Sequence, residues 1–357
     1  MRDQLAERVL ATVMGWDPAQ LADGGSRLQT LARHKYDSYE GYRPGVKFLE
    51  NLSGWLDQFD DLADRRAAIS FVLDDLVFIS RGEIDHLIET VYPDFIRPML
   101  VREAAARLQV SPFAVSRVTN SDEFKKIQRK LLVLGLSDGA RIDRLRRSSP
   151  ALSHEQIYLA ADIGDETAEE ALKSLRATLE DDAARFEHVL LVDDFYGSGT
   201  TLLRHGPSGD APYKGRLWRT KKRLEQLQAT ALHDGYRVSI LIYVASSTAD
   251  GYARKMLDDA KLDWRFDVIQ LLPAQLKVTN PDMVRICEWH YDPILVDRHK
   301  PEPAPRGFGE AALPLVLHHN TPNNSICVLW ADTTNREGSL GRRALFPRYE
   351  RHREDRA

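Results

Sequence analysis

The sequence predicts an α/β protein: a parallel sheet with helices between its strands, preceded by a helical N-terminal extension. Three observations carry this. Up to about residue 118, apolar residues recur at spacings of three and four, the period of a helix face. After about residue 125, short continuous apolar runs alternate with amphipathic stretches, as in βαβ units whose strands are buried on both faces. One of those runs ends in two adjacent aspartates followed by Gly-Ser-Gly-Thr-Thr.

In order along the chain, Tyr42-Arg43-Pro44-Gly45 is a turn that starts a helix carrying Phe48, Leu49, Leu52, Trp55, Leu56 and Phe59 on one face. Ala67, Ala68, Phe71, Val72, Leu76 and Ile79 form a second stripe, and Ile84, Leu87, Ile88 and Val91 a third. The strand-like runs are 131–136, 189–192, 238–244, 266–272, 313–317 and 326–330. Amphipathic helical segments lie at 154–179, 217–232 and 249–262. Residues 204–215 and 301–309, rich in Gly, Pro and small polar side chains, read as loops. The expected organisation is a helical region 1–118, an α/β domain 119–347 and a charged tail 348–357.

Composition narrows the class. A chain of 357 residues with 43% hydrophobic side chains has enough for a sizeable core. A net charge of −4 gives no reason to expect a general polyanion binder. Two cysteines, Cys287 and Cys327, in a chain this long do not make a disulfide scaffold, and without a C-x-x-C a cysteine zinc site is not expected. No apolar run reaches the roughly 20 residues of a membrane helix, and the N-terminus is charged where a signal peptide is apolar. The expectation is a soluble, cytoplasmic protein.

The chemistry concentrates at Asp193, Asp194, Phe195, Tyr196, Gly197, Ser198, Gly199, Thr200 and Thr201. In an open α/β sheet, ligands bind at the carboxyl ends of strands, where the two aspartates fall. The following Gly-rich turn, leading into a helix expected near Thr201, presents backbone N–H groups to an anion, with the hydroxyls of Ser198, Thr200 and Thr201 beside them. Carboxylates at one end and an anion cradle at the other match the polarity of a ribose 5-phosphate. A receiver domain also ends a strand in Asp-Asp, but no such turn follows there. A P-loop needs a Gly-Lys-Ser/Thr that this loop lacks. A plain strand–turn–helix without a ligand is the remaining alternative.

The segment 189–201, four apolar residues, two acids and a Ser/Thr-Gly turn, resembles the signature of type I phosphoribosyltransferases. The resemblance implies a phosphoribosyltransferase-like, Rossmann-like domain. It implies that Asp193 and Asp194 hold the ribose hydroxyls of phosphoribosyl pyrophosphate (PRPP), directly or through Mg²⁺, and that residues 197–201 hold its 5-phosphate. The aromatic pair Phe195-Tyr196 departs from the family, where smaller residues are commoner. A second small-residue turn, Ser137-Asp138-Gly139-Ala140-Arg141, follows the run 131–136 and would take the pyrophosphate, with Arg141 as its cation. The segment 147–155 has the position of a family lid. The implied reaction is pentosyl transfer to an unidentified acceptor with release of pyrophosphate, as in nucleotide metabolism. The chain resembles long, diverged bacterial members of the family, some found in defence gene clusters. The competing implication is a regulator that binds PRPP or a nucleotide without turnover.

Three further clusters carry side chains suited to other chemistry. His318, His319, Asn320, Asn323 and Asn324 form a donor-rich stretch between apolar runs that either reads the acceptor or does ordinary turn work. Glu288, His290, Asp292, Asp297 and His299 match no metal-ligand spacing. Residues 104–117 resemble a helix-turn-helix core, in a segment 98–147 holding eleven basic against five acidic residues, which suits nucleic acid. Residues 1–118 are a candidate surface for a protein partner or for homo-oligomerisation.

Overall fold

The computed structural model describes residues 3–207, 212–296 and 302–348. Asp297, His299, Pro301 and the tail beyond Arg348 lie outside the described residues, as do residues 208–211 of the loop expected at 204–215. Nine strands are described, and they are numbered in chain order: β1 (Val77–Ile79), β2 (Leu131–Gly135), β3 (Ile157–Leu159), β4 (Phe186–Tyr196), β5 (Arg204–His205), β6 (Tyr213–Lys214), β7 (Leu232–Ser246), β8 (Arg265–Leu272) and β9 (Leu315–Leu317). Two compact units divide the chain: one joins the residues up to Glu83 with those from Ala274 onward, and the other is Ile84–Pro273. The sequence boundary at residue 118 falls inside the second unit.

The second unit holds a five-stranded, wholly parallel sheet in the order β3-β2-β4-β7-β8. Its inner strands β2, β4 and β7 read as apolar runs because both faces are covered. Side chains alternate with the strand period: Leu132, Leu134, Val189, Leu191, Ile240 and Ile242 share one face with the buried sides of helices Asp165–Leu179, Arg216–Gln228 and Ser247–Asp259. On the other face, Ile96 and Met99 border a small cleft with Leu190 and Leu241. The order contains a reversal. The chain leaves β2 for β3 on one side, then returns to β4 on the other, and continues outward to β7 and β8. The connections leaving β2 and β4 therefore diverge and open a crevice at their carboxyl ends, the place where doubly wound sheets bind ligands.

The first unit packs around aromatic side chains. Trp55 is fully buried and donates its indole N–H to the Val328 carbonyl at 2.9 Å, and Phe346 lies against Tyr36, Tyr39, Tyr42, Phe48 and Phe78. The Arg43–Val46 turn closes at 3.0 Å, with Gly45 at φ +83°, before helix Phe48–Asp57. Among the described residues, no helix is long and apolar enough to cross a membrane.

Three readings of elements are corrected. Val77–Ile79, placed in a helical stripe, is strand β1 and pairs in parallel with β9. The run 326–330 is a short helix, Cys327–Trp330, rather than a strand. Strand β3 lies at the start of the segment read as helical from 154, and the helix itself is Asp165–Leu179. Short apolar runs are ambiguous by periodicity alone, and in each case the tertiary partner decides.

His188 on β4 is buried, with Nε2 paired at 3.0 Å to the Ser239 hydroxyl. Burial first, then Arg237 and Arg265, push its pKa from 6.5 down to about 4, against Glu103. As pH falls, the unfolded chain takes up this proton before the folded one. The associated stability is full above about 6.5 and is lost as pH drops toward about 4. His188→Gln should flatten the decline of unfolding free energy across that window in urea titrations, by at most about 1.4 kcal/mol per pH unit. An unchanged slope would refute the buried neutral imidazole.

Candidate functional site

The two loops singled out in the sequence meet at the reversal of strand order. Gly135 of β2 pairs with Val192 of β4, and the Leu136 N–H continues the ladder to the Val192 carbonyl at 2.9 Å. The next residue of each chain segment brings Ser137 beside Asp193. The Ser137 hydroxyl donates to Asp193 Oδ1 at 2.5 Å. Gly135 lets the turn and helix that follow pack back onto the strand end, since a Cβ there would meet Ile142 Cγ2 at 2.7 Å.

The two aspartates differ in environment. Strand β4 runs through both of them, and Asp193 pairs with Ile242 of β7. Asp193 has no solvent exposure. Its Oδ2 accepts from the Tyr196 hydroxyl at 2.6 Å and from Arg216, whose guanidinium also donates to the Tyr196 oxygen at 3.3 Å. Burial and the adjacent Asp194 charge push the Asp193 pKa above the usual carboxylate value, while Arg216, Ser137 and Tyr196 pull it back. Asp194 is half-buried and lies against Gly139, where an added Cβ would run into its carboxylate. It thus stands between the two loops and is the more accessible acid.

The cradle is a row of backbone amides. Among the described residues, no acceptor takes the N–H groups of Ser198, Gly199, Thr200 or Thr201, while the Ser198 and Thr200 hydroxyls pair with each other at 3.0 Å. Gly199 turns the chain at φ +78°, tight against Tyr252 and Ala249. Two contacts fix the row from behind. The Ser246 hydroxyl donates to the Gly197 carbonyl at 2.6 Å, and Arg204 reaches the Thr200 carbonyl at 3.1 Å. Consecutive unpaired amides around a left-handed glycine form an anion-binding concavity.

One sequence expectation is corrected here. No helix begins near Thr201. A turn over 199–203 leads instead into the antiparallel hairpin β5–β6, and the helix starts at Arg216. Its first two amides are spent on the carbonyls of Thr201 and Leu202, so the anion donors are the loop's own amides rather than a helix end. Three contributors escaped the sequence reading: Arg216, Ser246 and Tyr243, the last holding the Ala140 carbonyl at 2.8 Å. The Gly215-Arg216 pair opening an amphipathic helix was the available signal for the first.

The second loop forms a single tight turn over Asp138–Ala140, with Arg141 in the left-handed region at φ +47°. The amides of Ala140 and Arg141 close that turn, onto the carbonyls of Ser137 and Asp138. Of the arginines that follow, Arg144 pairs with Glu89 and Asp85, and Arg146 with the Ile157 carbonyl. Leu152 is buried and Gln156 is pinned to the carbonyls of Gln128 and Leu131, so the end of the 147–155 segment is packed into the unit.

The remaining clusters belong to other elements. His319, Asn320, Asn323 and Asn324 belong to the first unit, where the Asn324 amide donates to the Phe308 carbonyl and the Asn323 carbonyl accepts from the Phe308 N–H at 2.7 Å. Among the described residues, no group of three His, Cys, Asp or Glu is placed to hold a metal ion. Both Asp193 oxygens accept from a hydroxyl or a guanidinium, which leaves that carboxylate poorly disposed to hold a cation. The helix-turn-helix-like stretch consists of helix Arg97–Arg107 and a five-residue helix, Val115–Thr119. Much of the basic segment is neutralised within the unit, Arg107 by Glu103, Glu123 and Glu187, and Lys130 by Glu187.

A family model described as PRTase-CE matches residues 52–348, most of the chain. No curated protein and no solved structure matches it.

Gly199→Ala forces a side chain into the left-handed region beside Tyr252 and should cost about 1–2 kcal/mol in denaturant titration. Gly139→Ala meets only the movable end of Asp194 and should be milder, while shifting that carboxylate. Equal, negligible losses would contradict the loop geometry.

Proposed function

Because the chain belongs to the PRTase-CE family and is phosphoribosyltransferase-like, we propose that it binds PRPP at the β2/β4 crevice and transfers the phosphoribosyl group to an acceptor. The observation that carries this is the row of unpaired amides at Ser198–Thr201 in the turn that follows Asp194 at the carboxyl end of β4.

In this reading the amides of 198–201 hold the 5-phosphate, and the hydroxyls of Ser198 and Thr200 complete its shell. Asp194 accepts from the ribose hydroxyls. The turn 137–141, with Arg141, takes the pyrophosphate. The bond between C1 and the pyrophosphate oxygen breaks, the electron pair leaves with pyrophosphate, and the acceptor's lone pair forms the new bond to C1. Catalysis is mainly positioning and electrostatic support of an oxocarbenium-like state, to which the Asp194 charge contributes. Mg²⁺, held through Asp194 and the ligand's own oxygens, would neutralise the pyrophosphate charge. Asp193 supports the loops from beneath rather than touching substrate. The free, buried thiols of Cys287 and Cys327 accord with a cytoplasmic setting.

A second reading, a PRPP or nucleotide sensor without turnover, is favoured by one observation: the Asp193 carboxylate is already saturated by protein donors. The two separate in one experiment. Calorimetric titration with PRPP, with and without Mg²⁺, should show Mg²⁺-dependent binding, and pyrophosphate should appear when candidate bases or a cell extract are added. Binding without release selects the sensor, and no binding refutes both. Asp194→Asn should weaken binding at least about tenfold, equivalent to about 1.4 kcal/mol. Undiminished affinity in the folded variant would remove Asp194 from the site.

A further inference from the structure

Arg216 occupies an unusual place. It is the first residue of helix Arg216–Gln228, separated from the candidate loop by the β5–β6 hairpin. Its backbone N–H donates to the Thr201 carbonyl at 3.1 Å, while its side chain donates to Asp193 Oδ2 and to the Tyr196 hydroxyl. One residue therefore grips both ends of the 193–201 segment. The guanidinium also lies over the Tyr196 ring, 5.8 Å from its centroid. Its entry is fixed by Gly215 at φ +122°, where a Cβ would meet the Leu202 backbone at 2.5 Å. The second loop is tied to the same carboxylate by Ser137.

Resting on the phosphate-loop reading above, we infer that Arg216 is a positioning residue. It braces the amide row and the second loop on Asp193, and so sets the affinity for a ribose 5-phosphate group without touching the reacting atoms. The hairpin insertion then has a role: it places the helix start where a cation can reach beneath the loop.

The test measures ribose 5-phosphate affinity by calorimetry, and the backbone amide NMR shifts of Gly139 and Ser198–Thr201 in the ligand-free protein, for the full chain as wild type, Arg216→Met and Arg216→Lys. The brace predicts loop amide shifts displaced in Arg216→Met and an affinity reduced about tenfold or more, with both largely restored in Arg216→Lys. Unmoved loop amides or unchanged affinity in folded Arg216→Met overturns the brace. If Arg216→Met does not fold, Tyr196→Phe, which removes one of the two side-chain contacts of the guanidinium, carries the same readouts and the same criterion. Displaced amides with no ribose 5-phosphate binding by wild type would instead refute the ligand assignment and leave the brace standing.

Discussion

A carboxylate with no solvent exposure lies at the carboxyl end of the central strand, and the candidate site is arranged around it. Asp193 accepts from Ser137, Tyr196 and Arg216, which come from the loop after β2, the end of β4 itself and the start of a distant helix. An ionised group out of water is costly unless it is paired and hydrogen-bonded. That cost makes the three donors necessary, and the donors hold three segments together. Taking away one partner of a buried pair typically costs about 3–5 kcal/mol, because the other charge is left uncompensated. The two adjacent acids thus differ in place: the inner one ties the loops together, and the outer one is the more exposed and lies against Gly139 of the second loop.

The strand order explains why this carboxylate sits where it does. A sheet ordered β3-β2-β4-β7-β8 reverses direction between β2 and β4, so the loops leaving these strands part and leave a gap. Ser137 bridges the base of the gap to Asp193, and Gly139 lets Asp194 lie across it. The amide row at 198–201 lies in the turn that follows β4. Its donors remain unpaired because the chain bends through Gly199 instead of entering a helix, and because Ser246 and Arg204 hold its carbonyls from behind.

Much of this was legible in the sequence, for physical reasons. Strands β2, β4 and β7 stood out because burial on both faces makes them continuous apolar runs, and Asp-Asp at the end of one of them marked the site, while the edge strand β8 showed a shorter apolar run that is only partly buried. Strand β1 was hidden: three residues carry no period of their own, and its partner β9 lies more than two hundred residues away in sequence. The short helix Cys327–Trp330 was hidden for the same reason, as an apolar run too brief to show a period. The helix expected at Thr201 followed from the local Gly-Ser/Thr pattern, but the β5–β6 hairpin intervenes. Arg216 could not be assigned because its partner Asp193 is 23 positions away, and only the hairpin brings them together. Local chemistry could be read from local sequence, whereas the contacts that hold it in place depend on chain reversal.

The central claim is that backbone amides 198–201 receive a phosphate. The most direct measurement is an amide NMR titration of the full chain with ribose 5-phosphate. The account predicts saturable shifts led by Ser198, Gly199, Thr200 and Thr201, with smaller changes at Gly139 and Arg141. Saturable shifts confined to other parts of the chain, or none at millimolar ligand, would contradict it.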